Sequence, residues 1–255
     1  AEQTEHSING GGLKFDYFSP NEKHRFNVFA SAQHINRDSY YGGGQDPNAY
    51  GNTTDLNWMA GSQYVYSFGK CIFMPADLTA GIEFNQDKLE DNMWGYHRTV
   101  DQKVNIGSAF FQNEWKNEHW GFLIGGRLDK HNLIDHVIFS PRANLRYNPT
   151  ENINLRFSYS SGFRAPQAFD EDLHVANVER SQSLSASADI YHRFGAFQVN
   201  FLVEGFYTKL SDVFALTDGE VVDGILTRTR YNAPGARVMG LTLEGKMAYL
   251  TKFQV

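Results

Sequence analysis

From Phe139 onward the chain alternates, residue by residue, between two kinds of side chain. Phe139, Pro141, Ala143, Leu145 and Tyr147 fill one set of positions, and Ser140, Arg142, Asn144 and Arg146 fill the other. After Asn148-Pro149-Thr150-Glu151-Asn152 the pattern resumes, with Ile153, Leu155, Phe157 and Tyr159 set against Asn154, Arg156, Ser158 and Ser160. A period of two belongs to a β-strand, whose side chains point to opposite faces in turn. The stretch therefore predicts a hairpin with one apolar and one strongly polar face. Each strand runs for about a dozen residues, longer than the ~5–6 usual in soluble sheets and close to the ~9–11 that a tilted membrane strand needs.

The same alternation predicts strands elsewhere. Leu13, Phe15 and Tyr17 are followed by a Ser19-Pro20-Asn21 turn and by Phe26, Val28 and Ala30. Leu56, Trp58, Ala60, Tyr64, Tyr66 and Phe68 precede a short link with Cys71 and Pro75, and Leu78, Ala80, Ile82 and Phe84 come next. The strand over 102–116 carries adjacent Phe110 and Phe111, which predicts a slip in the pattern, a β-bulge. Trp120, Phe122, Ile124 and Leu128 lead into the central hairpin. Leu184, Ala186, Ala188 and Ile190 turn at Gly195 into Phe197, Val199, Phe201 and Val203, and a final strand reaches Tyr249.

Long polar links are expected over 38–55, 87–101, 130–137, 167–180 and 213–226. They alternate with short turns along the whole chain, and about eleven strands result, in the short-turn, long-loop order of an outer-membrane barrel. A soluble β-sandwich would mix its link lengths and space its strands more closely. No repeat or linker divides the chain.

Composition narrows the alternatives. The chain has 255 residues, with 13 Tyr and 20 Phe, a wealth of aromatics suited to lipid-facing strands and interfacial girdles. Mean hydropathy is −0.47 and no apolar run is long enough for a membrane helix, which leaves a barrel open, since half of each barrel strand faces a polar interior. Net charge is −6 with the basic residues dispersed, so no nucleic-acid footprint is present. The one cysteine, Cys71, excludes an internal disulfide and a multi-thiolate metal site. Nothing matches G-x-S-x-G, a P-loop or H-E-x-x-H, so the sequence is read as that of a non-enzyme with no cofactor.

The segment Ser160-Ser161-Gly162-Phe163-Arg164-Ala165-Pro166 resembles the "GFRAP" signature of TonB-dependent outer-membrane receptors, and the preceding hairpin fits the same family. Arg230-Tyr231-Asn232 through Ala236, Val238, Gly240, Leu243 and Glu244 resembles that family's "N-x-x-x-A…G-x-E" strand. The extension Gln167–Val175 is similar to the vitamin B12 and ferric-siderophore branch. The resemblance implies an all-β, antiparallel, up-and-down transmembrane barrel, with residues 1–255 a partial barrel domain, roughly half of a barrel of about 22 strands. The chain begins at Ala1 without a signal segment and ends at Val255, so plug and remaining strands are expected to lie elsewhere in a longer protein. It further implies an outer-membrane location in a Gram-negative cell and partners: a nutrient ligand (cobalamin, ferric siderophore or haem), the receptor's own plug, TonB and lipid.

Candidate sites follow from position. Tyr40, Tyr41, Asp46, Tyr50, Trp94, Tyr96 and His97 lie in predicted outer loops, as ligand contacts or as girdle residues. Arg127, Arg142, Arg146, Arg156 and Arg164, with Glu83, Glu204 and Glu244, belong to the polar face. In the resembled family that face holds the plug. The other reading is a hydrated channel lining. Asp129, His131, Asp135 and His136 have metal-ligating chemistry but no standard zinc spacing, and Asp170, Glu171 and Asp172 lack the EF-hand layout, so both groups read first as solvated loop residues. The competing functional readings are a passive porin-like channel, a surface adhesin, and a soluble β-sandwich binding module.

Overall fold

The computed structural model describes residues 2–40, 49–94, 98–165, 178–222, 225–228, 230–249 and 253–254. The strands are β1 (Gln3–Phe18), β2 (His24–Tyr40), β3 (Tyr50–Cys71), β4 (Met74–Met93), β5 (Arg98–Lys116), β6 (Trp120–His131), β7 (Ile138–Thr150), β8 (Ile153–Arg164), β9 (Glu179–Phe194), β10 (Phe197–Leu216), β11 (Glu220–Val222), β12 (Ile225–Thr227), β13 (Arg230–Tyr249) and β14 (Phe253–Gln254). They form one 12-stranded antiparallel meander, β1 through β10 and then β13 and β14, with β11–β12 as a separate hairpin. The expected all-β, up-and-down order is present, carried by the long strands β1–β10 and β13. The sheet is open, with β1 at one edge and β14 at the other.

The register sorts side chains onto two faces. Across the apolar face, Ile124 lies opposite Ala143, Ala143 opposite Tyr159, Tyr159 opposite Leu184, Leu184 opposite Tyr207, and Tyr207 opposite Met239. Across the polar face, Arg146 lies opposite Arg156, Arg156 opposite Ser187, Ser187 opposite Glu204, and Glu204 opposite Thr242. Among the described residues no second layer covers the apolar face: Leu13 is 84% exposed, Ile124 60% and Leu241 67%. A soluble β-sandwich requires that face to be packed on another sheet, so the sandwich reading is wrong for this chain.

An aromatic belt marks the short-turn end of the apolar face. Trp120 stacks on Tyr147 at 4.2 Å and on Phe122 at 5.6 Å, and Phe73 stacks on Trp115 at 5.7 Å. Tyr66 meets Phe68 edge-on at 4.5 Å, and Phe197 lies 4.8 Å from Tyr249. Tyr and Trp, whose rings have an apolar body and a polar edge, gather where hydrocarbon gives way to headgroups, and here Phe rings pack beside them. At this end the links are tight, and Ile72 takes φ 64° in the β3–β4 turn.

Three of the predicted long loops are largely strand. β2 runs to Tyr40 and β3 starts at Tyr50, β4 runs to Met93 and β5 starts at Arg98, and β10 runs to Leu216 before the β11–β12 hairpin. Ladder pairing continues where both faces turn polar, as in Asn52–Asn92 and Thr54–Glu90. The apolar alternation ends there because both faces carry polar side chains, while the backbone hydrogen bonding has not ended. The bulge predicted at Phe110-Phe111 is also absent: β5 pairs with β4 and β6 in unbroken register, Phe110 opposite Gly81 and Phe111 opposite Ala80. Phe110 sits on the polar face, where Gly81 leaves room for its ring; a Cβ at Gly81 would lie 2.3 Å from Phe110 Cζ. The register shifts instead at Phe68/Cys71 and Tyr147/Thr150, next to tight turns.

Candidate functional site

The polar face of β6, β7 and β8 gathers the predicted arginines, but their surroundings divide them into two groups. Arg127 is neutralised. Its NH1 donates to Glu83 Oε2 on β4, and its Nε donates to Asp129 Oδ1 at 2.8 Å, which also accepts from Ser108 Oγ at 2.6 Å. The Arg127 guanidinium lies 6.0 Å from the centre of the Phe110 ring. The side chain of Asp129 is only 4% exposed, so this carboxylate depends on its donors. Arg164 is likewise held, 3.8 Å from Glu179 and 5.1 Å from the Phe214 ring.

Arg142, Arg146 and Arg156 have no ion-pair partner among the described residues. Arg146 donates from NH2 to the Asn117 carbonyl at 3.1 Å, while its buried Nε has no partner. Arg156 donates from Nε to Asn154 Oδ1 at 2.7 Å. Between these two arginines lies a recess of about 270 Å³, also lined by Asn144, Ser158 and Glu114, a carboxylate that lies 4.0 Å from Lys116 and forms no ion pair with either arginine. Arg142 and Arg127 border a second recess of about 410 Å³, with Glu83, Gln112 and Ser160. Three guanidiniums on one face, none joined to a carboxylate among the described residues, make a surface suited to carboxylate or phosphate groups. Glu204 stands opposite Ser187 and Thr242, and Glu244 takes Lys246 Nζ at 2.8 Å.

The other predicted site residues are scattered. Tyr40 and Tyr50 are Cα partners with rings 4.8 Å apart at the rim, on the side that continues the apolar face. Trp94 is exposed just beyond β4. Tyr41, Asp46, Tyr96 and His97, and the acidic run Asp170–Asp172, lie outside the described residues. Asp129, His131, Asp135 and His136 do not converge, and no group of three potential ligands forms among the described residues. Asp129 is bound to Arg127. Asp135 offers its backbone carbonyl to Lys130 Nζ at 2.9 Å, and His136 Nε2 lies 3.2 Å from Arg180.

His131 has a different role. It is buried at the long-link end of β6, beyond the last outward apolar pair Leu128–Phe139. Its Nδ1 accepts from the Leu133 amide at 3.0 Å. Burial, and then nearby Lys130, hold the imidazole below its usual pKa, so it is kept neutral. Next to it Ile134, Ile138 and Val178 form a small core with Phe163 and Ala165, tying the β6–β7 link to the ends of β8 and β9.

Two polar clusters were not expected from sequence. Arg37 donates to Thr53 Oγ1 at 2.8 Å and lies 3.6 Å from Asp91, which accepts from Thr53 at 2.5 Å. Near the short turns, Asp77 accepts from Ser67 at 2.6 Å and from Lys116 at 2.9 Å, with Arg25 at 3.8 Å. The available signal was register: each group shares one face of neighbouring strands once those strands are paired.

Comparison with known proteins agrees with this architecture. A family model described as "TonB dependent receptor-like, beta-barrel" matches residues 3–254. No curated protein matches. The siderophore receptor PirA of Pseudomonas aeruginosa superposes with a TM-score of 0.78 at 15% identity, over 96% of this chain and 47% of that one. The ferric enterobactin receptor PfeA of the same organism, solved with enterobactin, gives 0.77 at 15% identity, over 95% and 41%. The hemophore receptor HasR of Serratia marcescens, solved with its hemophore HasA and heme, gives 0.77 at 14% identity, over 97% and 47%. The chain thus spans less than half the length of these receptors. The match along nearly the whole chain, on a single open meander with one apolar and one charged face, shows that the chain belongs to the TonB-dependent receptor-like β-barrel family.

Proposed function

We propose that residues 1–255 form part of the barrel of an outer-membrane active-transport receptor. The receptor captures a scarce nutrient, a ferric siderophore, haem or cobalamin, and takes it up with energy delivered by TonB through a plug. The observation that carries this reading is the row Arg142, Arg146 and Arg156 on the polar face, without ion-pair partners among the described residues, opposite an apolar face that no second layer of described residues covers. Placed in a bilayer, the apolar face meets hydrocarbon and the arginines line the interior. Charges in that position require water or a partner rich in carboxylates, and a plug supplies one. The open edge of β1 supports the same reading: at hydrocarbon depth its free backbone groups must pair with another strand. Siderophore and haem are favoured over cobalamin because the similar solved receptors named for a ligand bind siderophores or heme.

The test is uptake by cells that carry the whole protein as their one receptor for ferric siderophore, haem or cobalamin. Growth on one of these that disappears on deletion of TonB is the expected result. Growth independent of TonB on all three sinks the proposal. A passive channel is the second reading, because the same arginine row suits a hydrated, anion-preferring pore. It predicts steady conductance in planar bilayers from the whole protein, whereas a plugged receptor stays closed.

A further inference from the structure

The β3–β4 turn differs from the other short links. Ser19–Lys23, Asn117–His119, Glu151–Asn152 and Gly195–Ala196 are built of polar, small or proline residues, whereas Ile72 and Phe73 form the tip of this one. Ile72 is 81% exposed and Phe73 54%, two adjacent apolar side chains at the end of a tight hairpin. The hairpin is not at an edge of the sheet, since β2 and β5 flank it on either side.

The backbone at the tip is strained. The Phe73 amide donates to the Cys71 carbonyl at 2.8 Å across Ile72, whose φ is 64°. A hydrogen bond closed over one residue of positive φ makes the rare, strained form of γ-turn, and a β-branched residue is poorly suited to it. Gly or Asn at position 72 would carry less strain and, in water, would leave less apolar surface exposed. This turn instead holds an apolar side chain outward against its backbone preference.

The turn also leans to one side. The Cys71 carbonyl accepts a second bond, from Trp115 Nε1 at 3.0 Å. Phe73 stacks on the Trp115 ring, tilted by 16°, and meets Phe122 edge-on at 6.1 Å. Trp115 and Phe122 are Cα partners, and Phe122 shares its face of β6 with Ile124. The tip therefore folds back against the aromatic belt on the apolar face and away from the arginine face.

We infer that this turn is a membrane foot, with Ile72 and Phe73 among the acyl chains of the periplasmic-leaflet phospholipid, just inside the headgroups. The inference rests on the membrane-barrel reading above, which puts the short links on the periplasmic side. Lipid is the occupant because the tip is continuous with the apolar face through Trp115 and Phe122, whereas a plug would meet the opposite face. Removing both side chains from water offsets the strain at Ile72. A turn standing in the aqueous periplasm gains no such offset.

The experiment uses the whole receptor in phospholipid vesicles, with a nitroxide spin label at Ile72→Cys, Cys71→Ser and no other cysteine. Controls carry the label at Ile124→Cys, in the middle of the apolar row, and at Glu118→Cys, in the neighbouring β5–β6 turn. Collisions with oxygen, which concentrates in hydrocarbon, are compared with collisions with a water-soluble nickel chelate. The expected result is an oxygen-to-nickel ratio at position 72 several-fold above that at 118 and on the side of 124. A nickel-dominated signal at 72 beside an oxygen-dominated one at 124 overturns the inference and leaves the barrel reading in place. Shielding of 72 from both reagents shows a covering of protein and overturns the lipid assignment. Nickel dominance at 124 sinks the membrane reading itself. If Ile72→Cys fails to fold, the label goes on Phe73→Cys with the same expectations.

Discussion

Arg146 and Arg156 are direct partners across the β7–β8 pair, two cations on one face with no carboxylate joined to either among the described residues. Directly opposed like charges cost a sheet about 0.2–1 kcal/mol. A surface that keeps this cost without internal compensation is arranged for an anionic partner. The same face compensates Arg127 fully, so the neutral arrangement is available to this fold.

Arg156→Gln is therefore expected to raise the urea midpoint of the barrel when no partner is bound, by about 0.2–1 kcal/mol in stability. The same change weakens docking of an acidic partner on this face. Unfolding with and without the plug, followed by tryptophan fluorescence, checks both effects. A loss of stability without the plug contradicts the idea that the pair is strained.

Arg127→Met removes the cation that serves both Glu83 and nearly buried Asp129, and a destabilisation of about 1–3 kcal/mol is expected. Glu83→Gln costs less, under about 1 kcal/mol, because Glu83 is more exposed and Arg127 keeps Asp129. Equal losses for the two variants, measured by equilibrium unfolding, go against this division.

Ile124 sits in the middle of the β6 apolar row, with Leu128 toward one end and Trp120 toward the other. Ile124→Arg is expected to destabilise the folded barrel in lipid vesicles by about 2–4 kcal/mol, and Asn144→Arg on the opposite face far less. Comparable effects at both positions remove the assignment of faces.

The neutral, buried His131 gives a pH dependence whose sign is fixed. Its folded pKa is lowered, so below the ordinary value of 6.5 the unfolded chain binds more protons than the folded one. Stability is expected to fall as pH drops through about 6.5, continuing until the folded pKa is passed. His131→Gln removes that slope. An unchanged slope in the variant assigns the acid sensitivity to another group.

The architecture was legible from residues such as Phe139–Tyr159, because a strand between lipid and a wet interior must alternate at every position. The arginine face was legible for the same reason. The ends of the strands were not: 86–93 of β4 carry polar residues on both faces, so the period-two signal vanishes while pairing persists. Phe110-Phe111 misled because local sequence does not show that Gly81 lies across the strand. The division of the arginines into paired and unpaired depends on register. Glu83 and Arg127 are 44 positions apart, and only the stacking of β4, β5 and β6 brings them together.

The polar extensions of β2 to β5 carry the hydrogen-bonded ladder well past the apolar band. Beyond Phe84, β4 continues from Gln86 to Met93, about 25 Å along the strand, or roughly 20 Å upright at a tilt of about 40°. The mouth of such a barrel is a chimney built of hydrogen-bonded staves. On the proposed receptor reading, an arriving solute meets these paired extensions before it reaches the level of the apolar band, ahead of any recognition by individual side chains there.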